Sequence, residues 1–145
     1  MAVKVSIEAA TEVTSQLQDA MAALLPQLNP SLAIPTRPEL AAVLADPAVT
    51  LLLARDGDGI LGTATVIVFR TPAWAKARIE DVVVDAAARG RGVGESLVTR
   101  CLEIARERGA RVVELQSRRG REAANRLYVR MGFEARDSNL YRLVL

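Results

Sequence analysis

A mixed α/β domain is what this chain of 145 residues predicts, with a mostly antiparallel central sheet of about seven strands and four flanking helices. Three observations predict it. Apolar alternation of period two and apolar stripes of helical period succeed one another along the chain. Two apolar runs, Val49 to Arg55 and Ile60 to Arg70, are joined by Asp56-Gly57-Asp58-Gly59, a strong hairpin signal that makes part of the sheet antiparallel. A third apolar run, Val82-Val83-Val84, enters a glycine-rich turn and then an amphipathic helix. With no repeat, linker or low-complexity stretch, residues 1–145 read as one domain, long enough to bury a single core.

The elements follow in order. Val3 to Glu8 alternates apolar and polar residues as a first strand. Thr14 to Leu28 carries Leu17, Met21, Leu24, Leu25 and Leu28 on a helical stripe that stops near Pro30. Pro35-Thr36-Arg37-Pro38 opens a second helix, with Thr36 as N-cap and Glu39 three residues on, as in a capping box; Asp46-Pro47 closes it. The hairpin strands come next, then a loop from Thr71 to Ala77 and a fourth strand from about Arg78 to Val84. Val93, Leu97, Cys101, Ile104 and Ala105 form the buried stripe of a long helix, which Gly109 ends as a left-handed cap. Arg111 to Ser117 is a fifth strand. Arg121 to Met131 is a helix with Ala124, Leu127, Tyr128 and Met131 on one face, stopped by Gly132. Phe133 to Arg136 and Leu140 to Leu145 read as closing strands.

Composition excludes several function classes. Half the residues are hydrophobic and a quarter charged, and the formal net charge is +2, too small to argue for a nucleic-acid surface. There is no histidine and one cysteine, Cys101, so a disulfide within the chain and a Cys/His zinc site are both excluded; no metal is expected. Proton transfer must then use carboxylate, tyrosine, thiol or water. The first residues lack the apolar core of a secretory signal and no run approaches membrane-spanning length, so no membrane association and a cytoplasmic location are expected.

The turn Arg89-Gly90-Arg91-Gly92-Val93-Gly94 is the strongest chemical signal. Helix N-termini present N–H groups without intrahelical partners and partial positive charge, and glycine lets a phosphate approach them. Three phosphate loops compete. A P-loop counted from Gly90 puts Glu95 where its second glycine belongs, with no lysine following. A dinucleotide fingerprint puts the same Glu95 in its third glycine place; Glu114 does stand near the position of a ribose-binding acid, but too little chain is left for a doubly wound domain. The third pattern, Arg/Gln-x-x-Gly-x-Gly/Ala, is met at every specified position by Arg89 to Gly94.

That match, together with Leu127-Tyr128-Val129-Arg130-Met131-Gly132-Phe133, which looks like a Leu-Tyr-x-Lys/Arg-x-Gly-Phe ending, resembles the GNAT superfamily of acyl-CoA-dependent N-acetyltransferases over nearly the whole chain. The resemblance implies a fold whose fourth and fifth strands splay apart around a pantetheine arm. It implies acetyl-CoA as co-substrate, with its pyrophosphate on the loop Gly90, Arg91, Gly92, Val93, Gly94 and Glu95. The backbone of Val82, Val83 and Val84 would hold the pantetheine and the acyl carbonyl, while the side chains of Val82 and Val84 read as ordinary core. Arg89 and Arg91 add charge near the phosphates or are solvated, and Arg130 has the same two readings.

Acetyl transfer to an amine needs a neutral nucleophile, a polarised thioester and protonation of the departing thiolate. Tyr128 matches the family tyrosine that acts as general acid near the sulfur; alone, a tyrosine on an apolar stripe would be core. Glu80, in Ile79-Glu80-Asp81-Val82-Val83-Val84, resembles the strand-four glutamate of amino-sugar-phosphate and polyamine acetyltransferases, where it faces the acceptor. The alternative is that Glu80 or Asp81 pairs with Arg78 or Arg70, since a buried carboxylate needs a partner; Asp81 is read as structural. Asn125 either contacts pantetheine or caps the polar face of its helix. Cys101 reads as core, and Trp74 as packing or a dimer contact, so a homodimer is allowed. Gln116 and Arg121 stand where enzymes acting on protein N-termini often carry glutamate and asparagine, a departure that disfavours that substrate class. The expected function is acetyl transfer to a primary amine of a small molecule. The alternatives are a catalytically silent acyl-CoA-binding or sensing module and a peptide or protein N-acetyltransferase.

Overall fold

The computed structural model describes residues 5–145. Met1 to Lys4, and with them the start of the expected first strand, lie outside the described residues. The elements are β1 (Ser6–Ala9), α1 (Ser15–Leu28), α2 (Arg37–Ala45), β2 (Val49–Asp56), β3 (Gly59–Arg70), β4 (Ala75–Val84), a short 3-10 turn (Ala86–Ala88), α3 (Val93–Glu107), β5 (Val112–Leu115) and α4 (Glu122–Arg130). Local chemistry sets the helix starts. Thr14 Oγ1 accepts from Leu17 N at the head of α1. At α2 the reciprocal capping box forms between Thr36 and Glu39, with both orphan donors satisfied and the Glu39 carboxyl held below its ordinary range by its hydrogen bonds to Thr36.

The sheet runs β1-β2-β3-β4-β5, antiparallel from β1 to β4 and parallel between β4 and β5. The mixed, mostly antiparallel sheet and the four helices agree with the expectation; about seven strands does not. Among the described residues the sheet has five strands, and the two closing strands expected at Phe133–Arg136 and Leu140–Leu145 are in neither helix nor strand. Their apolar composition suits a strand, but a strand exists only where a neighbour completes its hydrogen bonds. β4 also begins earlier than expected, at Ala75, so the preceding loop is shorter.

Both faces of the sheet are covered. On one face Leu52, Ala54, Ala64, Val66, Ala77 and Ile79 pack with the α3 stripe Val93, Leu97, Val98, Cys101, Ile104 and Ala105 and with Tyr128. On the other, Leu51, Leu53 and Val83 pack with Leu17, Met21 and Leu24 of α1 and Leu40 of α2. This explains the unbroken run Leu51-Leu52-Leu53-Ala54, which alternates between two cores instead of between core and water. Each fully buried leucine contributes about 1.5–3 kcal/mol.

One irregularity shapes the site. Thr63 pairs with Val83 but Thr65 pairs with Glu80, so Asp81 and Val82 together oppose Ala64, a β-bulge. Asp81 takes φ 53°, the one non-glycine residue with positive φ among those described. The extra residue reverses the alternation: Ala77 and Ile79 face α3, whereas beyond the bulge Val82 and Val84 pack on that side and Val83 turns to α1. Asp81 is thereby kept out of the core, at the surface but with its carboxyl partly shielded from water. Gly62 opposite is obligatory, because a Cβ there would lie 2.9 Å from the Val83 carbonyl oxygen.

Candidate active site

The ladder between β4 and β5 ends at Ile79 and Leu115. Beyond it Glu80 to Val84 keep β3 on one side and have no β5 partner on the other. A cavity of about 580 Å³ opens along this segment, lined by Val82, Val83, Val84, the loop residues Arg89, Gly90, Gly92, Val93, Gly94 and Glu95, and the first turns of α4 with Tyr128 and Arg130. Asp85 organises the turn that leads into the loop: its Oδ1 accepts from Ala87 N at 2.9 Å and its backbone N–H donates to Leu61 O at 2.7 Å.

Gly92 is the N-cap of α3 in left-handed conformation, φ 76°, with no side-chain cap, and Gly90 has φ 80°. The first helical bond runs from Ser96 N to Gly92 O, 3.0 Å, which leaves the N–H groups of Val93, Gly94 and Glu95 free of helical partners. A Cβ on Gly90 or Gly92 would meet nothing of the protein within 4 Å; it would project into open space beside those donors. Gly94 differs, because a Cβ there would sit in ordinary van der Waals contact with Leu127 at 3.5 Å and Val84 at 3.7 Å, which places this position between α3, α4 and β4. The loop therefore fits a diphosphate on residues 90–95.

Tyr128 closes the same cavity. Its ring is buried against Phe133, edge to face with centroids 5.9 Å apart, and the turn after α4 is held by Phe133 N donating to Tyr128 O at 3.0 Å. The conjunction Tyr-x-x-x-Gly-Phe is thus a packing unit: Gly132, φ 99°, reverses the chain so that Phe133 returns to the ring. Desolvation raises the Tyr128 pKa, Arg121 opposes that, and the buried Cys101 thiol adds to it. The phenol stays protonated at neutral pH.

Of the other expected residues, Arg89 and Arg130 line the cavity, whereas Glu80, Arg91 and Asn125 do not. Glu80 is half-buried and ion-paired with Arg78, the partner weighed for it as an alternative, and is not among the cavity-lining residues. Arg91 pairs with Asp56 at 3.2 Å, which ties the loop to the end of β2. Asn125 Nδ2 donates to the carbonyls of Arg118, 3.0 Å, and Arg119, 3.4 Å, holding the loop before α4. Arg130 reaches Glu95 at 3.7 Å across the cavity mouth. Arg89 is exposed at the cavity rim. Cys101 is fully buried in the α3 core, its thiol pushed up to about 12 by desolvation.

Several lining residues were not among the expected site residues, Gln27 and Arg121 among them. Gln27, on α1, accepts from Ala86 N at 2.9 Å through Oε1 and donates to Ala23 O at 3.0 Å through Nε2, bracing the turn before the glycine loop. Arg121 is the N-cap residue of α4. No local motif marks Gln27, which meets the loop only through the fold.

The model of the acetyltransferase (GNAT) family matches residues 16–133, from α1 through the glycine loop to Phe133. The chain belongs to the GNAT family. Among its relatives, glucosamine 6-phosphate N-acetyltransferase 1 of Oryza sativa subsp. japonica is 47% identical over 76 residues, covering 49% of this chain and 45% of that protein. The curated relatives are matched over only 27% to 59% of their own length. Among solved structures, a transcriptional regulator from Bacillus halodurans C-125 superposes with TM-score 0.83 at 26% identity, covering 97% of this chain and 100% of that one. The glucosamine-6-phosphate N-acetyltransferase of Arabidopsis thaliana superposes with TM-score 0.78 at 18% identity, over 95% and 98% of the two chains, a likeness of fold alone. GNAT acetyltransferases use acetyl-CoA as co-substrate; the cavity of this GNAT chain brings together the head of α3, without a side-chain cap, and the buried Tyr128.

Proposed function

We propose that this protein transfers an acetyl group from acetyl-CoA to a primary amine of a small molecule. The observation that carries the reading is that the free N–H groups at the head of α3 and the buried Tyr128 line one cavity. Bound there, acetyl-CoA supplies an activated thioester carbonyl. The N–H groups of Val93, Gly94 and Glu95 bind its diphosphate, with Arg89 adding charge at the rim. The exposed edge of Val82 to Val84 offers backbone donors and acceptors to an extended amide-bearing arm, and water is excluded by the apolar side chains of Val84, Ala124 and Leu127. Tyr128 holds a proton at Oη, available to a departing thiolate, and desolvation keeps that proton in place until it is needed.

Glu80 is assigned to the acceptor side. To meet an ammonium group its carboxylate must exchange Arg78 for the amine, so Glu80→Gln is expected to raise KM for the amine more than KM for acetyl-CoA. Because relatives named for glucosamine 6-phosphate are among the matches, amino sugar phosphates head the acceptor panel. The test is release of CoA thiol from acetyl-CoA in the presence of amino sugars and their phosphates, polyamines, amino acids, aminoglycosides and peptides. Turnover with a small amine supports the proposal; turnover only with peptides replaces the acceptor class. Binding of acetyl-CoA without turnover on any amine replaces it with an acyl-CoA-binding module.

A further inference from the structure

We propose that Arg91 and Asp56 are positioning residues for the diphosphate site: their ion pair tethers the glycine loop to the β2–β3 hairpin, and Arg91 does not itself meet the diphosphate. The inference rests on the acetyl-CoA reading above. Little else holds the middle of the loop. Gly90 and Gly92 both take positive φ, 80° and 76°, and glycine loses more conformational freedom on ordering than any other residue. From Gly90 to Glu95 no backbone N–H has a backbone acceptor among the described residues. Those donors are what a diphosphate needs, so they cannot also fasten the loop. The fastening has to come from a side chain.

Arg91 supplies it. Gly90 and Gly92 line the cavity, whereas Arg91 between them does not; its Nη2 lies 3.2 Å from Asp56 Oδ2. Each of these two side chains is 32% exposed, against 62% and 51% for the Arg130–Glu95 pair at the cavity mouth, so water and salt screen the tether less. Asp56 is a fixed post. It pairs with Gly59 at the end of β2, beside a two-residue turn whose first residue, Gly57, has φ 59°, a conformation that closes a tight hairpin. α1 holds the same tip, since Gln16 Nε2 donates to Asp58 O. It also holds the turn upstream of the loop, where Gln27 accepts from Ala86 N at 2.9 Å. The loop is thereby fixed at both ends and at Arg91, and its donors are ordered before a ligand arrives.

Calorimetric titration of the full chain with acetyl-CoA tests this in Asp56→Asn, Arg91→Gln and the two combined. Asp56→Asn removes a negative charge from the neighbourhood of an anion, so a Coulombic effect alone would tighten binding. The tether predicts the reverse. Each single variant should weaken binding by about fivefold, the factor that a partly exposed pair can supply, and the double variant should be no weaker than either. The reversed pair, Asp56→Arg with Arg91→Asp, should bind better than Arg91→Asp alone. Tighter or unaltered binding in Asp56→Asn overturns the proposal, as does additive loss in the double variant. A second readout needs no ligand. Amide order parameters of Gly90 to Glu95 in the free protein should fall in Asp56→Asn and recover in the reversed pair; unchanged values overturn the tether. A wild type that does not bind acetyl-CoA overturns the cofactor reading, and the order parameters still decide whether the pair holds the loop.

Discussion

Tyr128 and Asp81 carry opposite lessons about single residues in a mostly apolar frame. Tyr128 is buried with its ring locked against Phe133, and its raised pKa means that the proton is lost only at strongly alkaline pH. Tyr128→Phe keeps the packing and removes the proton, so kcat should fall by about 10²-fold while the acetyl-CoA dissociation constant stays unchanged; steady-state rates and equilibrium titration read the two separately, and an unchanged kcat removes Tyr128 from the chemistry. Asp81 has a carboxyl raised above its ordinary range, first by desolvation and then by the neighbouring Glu80 charge. A raised folded-state pKa means stability is fully present below the unfolded value and lost as pH rises through the folded one. Asp81→Asn keeps a residue tolerant of positive φ and cannot ionise. It should match or exceed the wild type in Tm at neutral pH, with that advantage disappearing as pH is lowered below the ordinary aspartate range. A Tm difference independent of pH would show that the charge is not responsible.

At the scale of elements, β4 and the glycine loop act together. The bulge at Asp81 and Val82 turns Val82 and Val84 toward the α3 face just where β5 stops, and Gly62 lets β3 pass close to the Val83 carbonyl beyond it. Gly62→Ala brings a methyl against the Val83 carbonyl and should cost about 1–3 kcal/mol, read as a lowered urea midpoint. Gly92→Asp acts differently. It adds strain at φ 76° and sets a carboxylate beside the free N–H groups, so acetyl-CoA binding should be lost in calorimetry; retained binding would disconnect the loop from the phosphates. The capping box at Thr36 lies away from the cavity. Thr36→Ala should cost about 0.5–2 kcal/mol and leave acetyl-CoA affinity unaltered.

For the whole molecule, the core on the α3 side of the sheet runs up to the cavity, since α3 supplies both the buried Leu97 and Cys101 stripe and the N-terminal donors. Ligand binding is therefore coupled to global stability. Acetyl-CoA at about a hundred times its dissociation constant should add roughly 2.7 kcal/mol, visible as a rise in Tm, and the rise should be absent in Gly92→Asp. Much of this was legible in advance. Cap residues, the Asp-Gly hairpin and the stripes of α1, α3 and α4 are local signals, and the loop Arg89 to Gly94 carries its own spacing. Gln27 was not legible, because it acts on Ala86 from another element, and neither was the pairing of Arg91 with Asp56; the pairing of Glu80 with Arg78 was one of two readings the sequence left open.

The chain by itself determined the order of helices and hairpin strands, the glycine loop and the tyrosine motif, because each rests on contacts within a few residues or on one hydrophobic period. Only the tertiary structure decided which face each half of β4 presents, where β5 lets go of it, and that Phe133 to Leu145 join no sheet among the described residues. Those outcomes depend on register and on strand partners, and a partner strand is supplied by residues distant in sequence.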